Sequence, residues 1–143
     1  MYYNNLKRLR NEKELTQEDI SKILKRSRST YNNWERGIVM IPIDVIDQLS
    51  VYYKVSLSCV LGIDKKIEYK KSVKKLNYDT LLNNLRELRK ENKHTYNEIA
   101  SYLKCTEATC QRYFTGVFKI PIDRLILLTQ LYDIELDELC GKE

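Results

Sequence analysis

The sequence predicts an all-α protein made of two tandem copies of one small helical domain. Residues 5–62 and 84–141 match each other without a gap, at a constant offset of 79 positions. Because loops normally vary first between related copies, an ungapped match of this length indicates a duplicated domain. No stretch alternates apolar and polar residues with the period of a β-strand, so we expect no sheet. The predicted boundaries are a first domain at 1–63, a basic linker at 64–78 and a second, divergent domain at 79–143.

Two helices open the first copy. Leu6 and Leu9 lie one turn apart on one face and predict a first helix over about Asn4–Lys13. Thr16 is a good N-cap for the second helix, and Asp19 three residues later can close a capping box. This second helix is predicted to end near Leu24 and to bury Ile20, Ile23 and Leu24.

Three more helices complete the first copy. Ser27 can cap a third helix over about 28–36, which ends before Gly37. A fourth helix is predicted over about 42–53 and a short fifth helix over about 57–61. The second copy repeats this plan, with its cap, stop and start residues at Thr95, Thr106, Gly116 and Pro121.

The second helix starts within Leu15–Ile20 and ends at Leu24. After a tight turn, the third helix follows with its cap and stop residues at Ser27–Gly37. This arrangement resembles the lambda-repressor/Cro-type helix-turn-helix of the XRE family, over nearly all of the first copy and more loosely over the second. The resemblance implies two tandem lambda-repressor-like five-helix domains that bind double-stranded DNA. It also implies a sequence-specific transcriptional regulator, most simply a repressor, that reads the major groove with the third helix of the first domain. One departure is Lys25, because the family often has Gly in the turn and lysine adopts that geometry at some cost.

The third helix of the first copy separates an apolar side from a polar side. At about 100° per residue, Tyr31 and Trp34 fall on the side expected to be core. On the polar side, arginine can take guanine O6 and N7, and asparagine can take adenine N6 and N7. The resemblance implies that Gln17, at the start of the second helix, contacts a phosphate. The predicted DNA-binding residues are Gln17, Lys25, Arg26, Ser27, Arg28, Ser29, Thr30, Asn32, Asn33 and Arg36, of which Lys25, Arg26 and Arg36 are expected to hold the phosphate backbone.

Arg10 in the first helix and Glu35 near the end of the third carry opposite charges. The resemblance implies that they form a structural ion pair, which would set how the third helix stands relative to the first. Two independent surface charges are the alternative, because exposed pairs contribute little to stability.

The second copy changes the polar face of its third helix. Glu107 stands where the first copy has Arg28, and a carboxylate there repels phosphate unless it accepts from a cytosine amino group. Gln111 and Arg112 still offer groups that read bases. Two interpretations stay open: a degenerate copy with an interaction role, or a second DNA reader that uses Gln111 and Arg112.

The second copy also changes the ion-pair position and adds apolar side chains. Phe114 stands where the first copy has Glu35, so Arg89 is expected to lose its partner. Apolar residues at 113–114 and 117–118 are expected to form an exposed surface for a homodimer or another protein.

Positive charge is concentrated in the first half and the linker. The formal charges are +3 for residues 1–63, +4 for residues 64–78 and −2 for residues 79–143, within an overall charge of +5. The first half is therefore the better candidate for a polyanion. The linker carries six lysines and either lies along phosphates, as a partly helical or extended arm, or is merely a soluble connection.

Residues that carry chemistry are sparse. The four cysteines sit at none of the paired spacings of a zinc site, so reduced thiols packed as small core residues are expected, with metal or redox use as the alternative. His94 is the single histidine, and no nucleophile–base set or glycine-rich phosphate loop is present, so we expect no enzyme, no metal and no cofactor. The apolar runs are too short for a bilayer and no secretion leader stands out, so a cytoplasmic protein that enters no membrane is expected.

Two classes of function fit these patterns. The first is a DNA-binding regulator, which would act as a homodimer on a palindrome, through the second domain for example, or as a tandem monomer on an asymmetric site. The second is a protein-interaction or inhibitor module of the antitoxin or phage-borne type, whose helix-turn-helix serves autoregulation. Binding to the upstream DNA of its own gene, against capture of a host protein, separates the two.

Overall fold

The computed structural model describes residues 4–143, with Asn4 described by its backbone alone. Within that range the chain forms ten α-helices and no β-strand, which confirms the predicted all-α class. The chain divides into two compact units, Met1–Lys75 and Leu76–Glu143. The helices of the first unit are α1 (Asn4–Glu12), α2 (Gln17–Leu24), α3 (Arg28–Glu35), α4 (Ile43–Tyr53) and α5 (Leu57–Val60). Those of the second unit are α6 (Tyr78–Glu91), α7 (Tyr96–Leu103), α8 (Glu107–Thr115), α9 (Ile122–Leu131) and α10 (Leu136–Leu139). Among the described residues, no helix combines the length and the apolar character needed to cross a bilayer.

Side-chain caps begin the second helix of each unit. Thr16 Oγ accepts a hydrogen bond from the Asp19 N–H at 3.1 Å, and Asp19 Oδ2 accepts one from the Thr16 N–H at 2.9 Å. Thr95 and Glu98 form the same reciprocal pair at the start of α7. The hydrogen bonds from the Thr16 and Thr95 N–H groups lower the pKa of Asp19 and Glu98 below their ordinary values. The capping box predicted at Thr16 is therefore present, and Thr95, which was predicted as a cap, forms a second box.

The turn that follows this helix is left-handed in both units. Lys25 has φ 56° and ψ 44°, and Lys104 has φ 58° and ψ 46°. A side chain in that region costs about 1–2 kcal/mol, because its Cβ crowds the following carbonyl. The two copies thus keep the tight turn without the glycine that suits it.

The core of the first unit forms where α1, α2, α3 and α4 turn their apolar sides inward. Leu9, Ile20 and Leu49 are fully buried. The prediction that Ile23 is buried is wrong, because its side chain is 40% exposed. Ile23 lies at the edge of the inward side of α2, where it lines a surface groove with Val51 of α4.

Three of the four cysteines pack as small core residues. Cys59, Cys110 and Cys140 are buried, Cys105 is half-buried, and all four thiols are free of disulfides. Burial raises the pKa of the Cys110 thiol to about 11. Burial also raises the pKa of the Cys59 thiol, so Cys59 and Cys110 remain protonated at neutral pH and are poor nucleophiles.

The connector after α5 contains no helix and lies along the first unit. Arg8 Nη1 donates to the carbonyl of Lys65 at 2.7 Å. Tyr69 donates its hydroxyl hydrogen to the Glu12 carboxylate, and the Lys70 N–H donates to the carbonyl of Lys54 at 2.8 Å. Within these described residues the partly helical conformation is therefore absent, and the segment is held against the first unit rather than standing free as an arm.

Candidate nucleic-acid interface

Helix α3 is held by its apolar side and exposes the opposite side. Tyr31 and Trp34 are buried, at 0% and 4% exposure, as the sequence predicts. Arg28, Ser29 and Arg36 are exposed. Asn32 and Asn33 are half-buried. The helix therefore presents a short row of donor-rich side chains, which we call the α3 face (residues 28, 29, 32, 33 and 36).

An ion pair joins the last turn of α1 to the end of α3. Arg10 Nε donates to Glu35 Oε2 at 3.0 Å, and Arg10 Nη2 donates to Glu35 Oε1 at 2.9 Å. The two side chains are only 12% and 5% exposed. Burial by itself raises the pKa of Glu35, but the hydrogen bonds from Arg10 and Gln17 outweigh it and hold that pKa below its ordinary value. Arg10 also donates to the carbonyl of Leu15 at 3.0 Å, so one guanidinium holds α1, α3 and the approach to α2 together.

Gln17 connects this ion pair to the α3 face. Its amide nitrogen donates to Asn32 Oδ1 at 3.0 Å and to Glu35 Oε1 at 3.3 Å. The sequence assigned Gln17 to a phosphate and Asn32 to a base, as separate contacts, but the structure brings them together. Since its oxygen accepts from Gln17, Asn32 is left to offer the two hydrogens of its amino group to a ligand.

The cap of α3 uses two of the predicted DNA-binding residues. Ser27 Oγ accepts from the Thr30 N–H at 3.1 Å and lies 2.8 Å from Thr30 Oγ. Thr106 and Thr109 form the same pair in the second unit, at 3.1 Å and 2.9 Å. Because the pair recurs on a different surface, its first role is to begin the helix.

Two cations stand in the turn before α3. Lys25 is exposed, and its left-handed backbone closes the turn. Arg26 is also exposed and lies 3.8 Å from the Asp44 carboxylate. Both members of that pair are largely in solvent, where such a contact contributes little, so Arg26 stays available to a phosphate.

The second unit presents a different surface at the equivalent helix, α8. Glu107, Gln111 and Arg112 are exposed, and the Arg112 guanidinium lies over the Phe118 ring with its carbon 5.5 Å from the centroid. One carboxylate and one cation thus replace the uniformly non-acidic α3 face.

The prediction that residues 113–114 add exposed apolar surface is wrong. Tyr113 is 4% exposed and Phe114 is 0% exposed, because these positions correspond to the inward-facing Trp34 and Glu35. The exposed apolar side chains follow α8 instead, where Val117 is 68% exposed and Phe118 is 44% exposed. The first unit has the same feature after α3, where the exposed apolar side chains are Ile38, Val39 and Met40.

Among the described residues, no carboxylate forms an ion pair with Arg89, which corresponds to Arg10. Its guanidinium carbon lies 4.0 Å from the centroid of the Tyr96 ring. Tyr96 in turn meets Phe114 edge to face, with the two centroids 5.7 Å apart. The Nε atom of Arg89 is buried and makes no hydrogen bond within the described residues. An aromatic cluster therefore takes the place of the polar network of the first unit.

Comparison with known proteins gives one finding. A family model described as helix-turn-helix matches the chain twice, at residues 6–58 and 85–139. No curated protein and no solved structure matches the chain.

Proposed function

Because the chain belongs to the helix-turn-helix family in two tandem copies, we propose that it is a sequence-specific DNA-binding transcriptional regulator. Domains of this family bind double-stranded DNA. The finer proposal is a repressor that acts in the cytoplasm, occupies a promoter and excludes the polymerase.

The observation that carries this proposal is the fixed orientation of α3. Tyr31 and Trp34 anchor its inner side, and the Arg10–Glu35 pair ties its end to α1. The α3 face then projects outward from a helix that needs no rearrangement before it enters a groove. A pre-ordered reading helix keeps the entropic cost of binding low.

We propose that the α3 face divides its work among three side chains. Arg28, exposed at the first turn, would take a guanine through O6 and N7. Asn33 would take an adenine, which needs both its oxygen and its amino group. Asn32, whose oxygen accepts from Gln17, would donate to a lone acceptor such as thymine O4.

We propose that cations flanking this face hold the phosphates. The side chains of Lys25, Arg26 and Arg36 are all exposed. Each phosphate that is neutralised steepens the salt dependence of binding by about 0.9 in log–log slope. Three contacts in each half-site would therefore make binding strongly dependent on ionic strength.

We propose that the second unit forms a homodimer. The dimer would bind two half-sites about one helical turn apart. Residues 79–143 of this unit carry a net charge of −2, and Val117 and Phe118 are exposed. Sedimentation of the full chain should give a dimer, and Val117→Ser with Phe118→Ser should reduce it to a monomer. The matched control, Ile38→Ser with Val39→Ser in the first unit, should leave the dimer intact.

Selection of bound duplexes from a random library, with the full chain, tests the DNA-reading proposal. We expect one enriched motif, which Arg28→Ala with Asn33→Ala should abolish. The matched pair in the second unit, Gln111→Ala with Arg112→Ala, should leave the motif intact. A library that stays random although Trp34 fluorescence reports a folded first unit would contradict sequence-specific binding.

A further inference from the structure

Arg10 and Arg89 occupy the same position in the two copies but have different surroundings. Arg10 is neutralised by two hydrogen bonds to the Glu35 carboxylate. In the second unit Phe114 takes the position of Glu35, and no acidic side chain among the described residues forms an ion pair with Arg89. A half-buried guanidinium therefore keeps its full charge without an internal anion.

The orientation of the Arg89 side chain is fixed. Its plane is covered by Tyr96, with 4.0 Å between the guanidinium carbon and the ring centroid, and Tyr96 is braced by Phe114. The buried Nε atom has no acceptor. Such stacking holds a guanidinium flat and leaves its edge, with the terminal Nη groups, to meet a ligand.

Arg89 borders a surface groove of about 400 Å³. Arg86, one turn before Arg89 on α6, and Lys90, the residue after it, border the groove as well, and Glu87 contributes the single carboxylate. Three cations and one carboxylate leave a net formal charge of +2. The residues that line the groove are Asn83, Arg86, Glu87, Arg89, Lys90 and Tyr96.

Arg86 is partly committed to the fold. Its Nε donates to the carbonyl of Phe114 at 2.8 Å, and its Nη1 donates to Asn83 Oδ1 at 3.2 Å. These bonds fix the side chain while its charge stays at the groove. Lys90 is exposed and free to adjust to a ligand.

The first unit serves as the comparison. The groove on its α1 is lined by Lys7, Arg8, Asn11 and Glu12, and Arg10 does not reach it. Asn11 stands where the second unit has Lys90. The cation gained at Lys90 is offset by Glu87, which stands where the first unit has Arg8. The groove of the second unit therefore differs mainly in the Arg89 guanidinium that borders it.

We propose that the second unit binds an oxyanion, a carboxylate or phosphate group, in this groove. Two oxygens of the anion would meet the terminal amino groups of Arg89, with Lys90 and Arg86 supplying further positive charge. The anion supplies from outside the negative charge that Glu35 supplies inside the first unit. The group can belong to a small diffusible molecule or to the backbone of bound DNA, since the chemistry is the same.

Titration of the full, isotopically labelled chain with inorganic phosphate, at constant ionic strength in chloride, tests the site by NMR. We expect saturable shifts of the amide signals at residues 83–96 and of the Arg89 side-chain signals. The equivalent signals at residues 4–17 are the control within the same molecule and should not shift. Unsaturable shifts, or equal shifts in both units, would overturn the proposal.

Two variants separate a built site from general attraction to positive charge. Lys90→Ala, at an exposed position, should weaken phosphate binding by about tenfold without a change in melting temperature. Lys22→Ala in the first unit removes the same charge from an exposed side chain and should leave the affinity unchanged. Equal losses in the two variants would contradict the proposal.

A third variant uses the comparison between the copies. Phe114→Glu returns a carboxylate to the position of Glu35, so we expect it to occupy Arg89 and exclude phosphate. If this variant folds and still binds phosphate at the original affinity, Arg89 is not the anion ligand. If it does not fold, the lysine pair alone decides the question.

A final titration identifies the source of the anion. Addition of a short duplex that carries the selected motif displaces phosphate from residues 83–96 if the DNA backbone occupies the groove. If the phosphate-bound signals persist in the DNA complex, the groove belongs to a free anion. The phosphate titration itself contains no DNA, so its outcome is independent of whether the chain reads a sequence.

Discussion

The two units solve the same packing problem with opposite chemistry. In the first unit, the guanidinium of α1 is neutralised by a carboxylate from α3, and in the second unit the equivalent guanidinium of α6 lies on an aromatic ring. Both arrangements fix the third helix of the unit against the first. The two copies therefore share a planar cation at this junction, paired with a carboxylate in one and stacked on an aromatic ring in the other.

The difference also extends to the exposed side of the third helix. In the first unit, Gln17 relays the ion pair to Asn32 through amide hydrogen bonds. In the second unit, Tyr96 takes the place of Gln17 and turns toward Phe114. Hydrogen bonds thus link the junction of the first unit to the α3 face.

Removal of the buried carboxylate should have the largest effect. Glu35→Ala leaves Arg10 buried and unpaired, so we expect the first unit to lose about 3–5 kcal/mol of unfolding free energy. Trp34, the single tryptophan of the chain, makes its fluorescence a reporter of the first unit during urea unfolding. The control is Glu18→Ala, whose exposed contact with Lys22 should contribute less than about 0.5 kcal/mol.

A transplant of the aromatic solution sharpens this experiment. Glu35→Phe combined with Gln17→Tyr should recover about 1–2 kcal/mol of the loss, because the new ring can stack on Arg10 as Tyr96 stacks on Arg89. A double variant as unstable as Glu35→Ala would show that the two junctions are not interchangeable.

Acidification should destabilise the first unit before the second. Because the pKa of Glu35 is lower in the folded chain than its ordinary value of 4.5, the unfolded chain takes up the proton first as the pH falls. The stabilisation from the ion pair is complete above that value and is lost as the pH falls through the folded pKa. The second unit has Phe114 at this position and lacks the contribution. Hydrogen exchange followed by NMR from pH 6 to pH 3 compares the units in one sample, and equal losses in both would count against the assignment.

Base reading should distinguish Arg28 from its neighbours. Arg28→Ala should lose about 1–3 kcal/mol at the selected site and relax one base position, whereas Lys25→Ala should weaken all sequences alike. Titration of matched and mismatched duplexes measures both. An equal loss on every sequence for Arg28→Ala would assign it to a phosphate, and a selective loss for Lys25→Ala would remove that residue from the phosphate contacts.

The smallest effect should come from the caps that the two copies share. Thr16→Ala and Thr95→Ala should each cost about 1 kcal/mol, because each removes one side of a capping box. Urea unfolding with Trp34 fluorescence detects the first, and NMR signals of α7 detect the second. Markedly different losses of unfolding free energy would indicate that the two capping boxes contribute unequally to stability despite the same geometry.

The helices and their order could be predicted because they depend on short-range signals. Each of four helices begins with a side chain that caps the N–H group three residues later, namely Thr16, Ser27, Thr95 and Thr106. The second copy of the sequence supplies an independent check of each predicted helix. The prediction for Phe114 was wrong because its position, which aligns with Glu35, faces the inside of the unit. Position relative to the core, rather than hydrophobicity alone, decides burial on a short helix.

The links between side chains on different helices could not be predicted. The bond between Gln17 and Asn32 depends on how closely the start of α2 approaches α3 and on two rotamers. The contacts of the connector, such as the bond from Tyr69 to Glu12, depend on a path that its lysine-rich sequence does not specify. A hint of the first existed, because Gln17 and Asn32 are both replaced in the second copy, by Tyr96 and Gln111.

The left-handed lysines at the tight turns have a practical consequence for engineering. Glycine would relieve the Cβ crowding at either turn and raise thermostability, at the expense of an ammonium group. At Lys25 the exchange would raise stability but remove a proposed phosphate contact. At Lys104, in the acidic half of the chain, the same exchange removes no proposed contact. Lys104→Gly is therefore the better choice for a more thermostable variant of this protein.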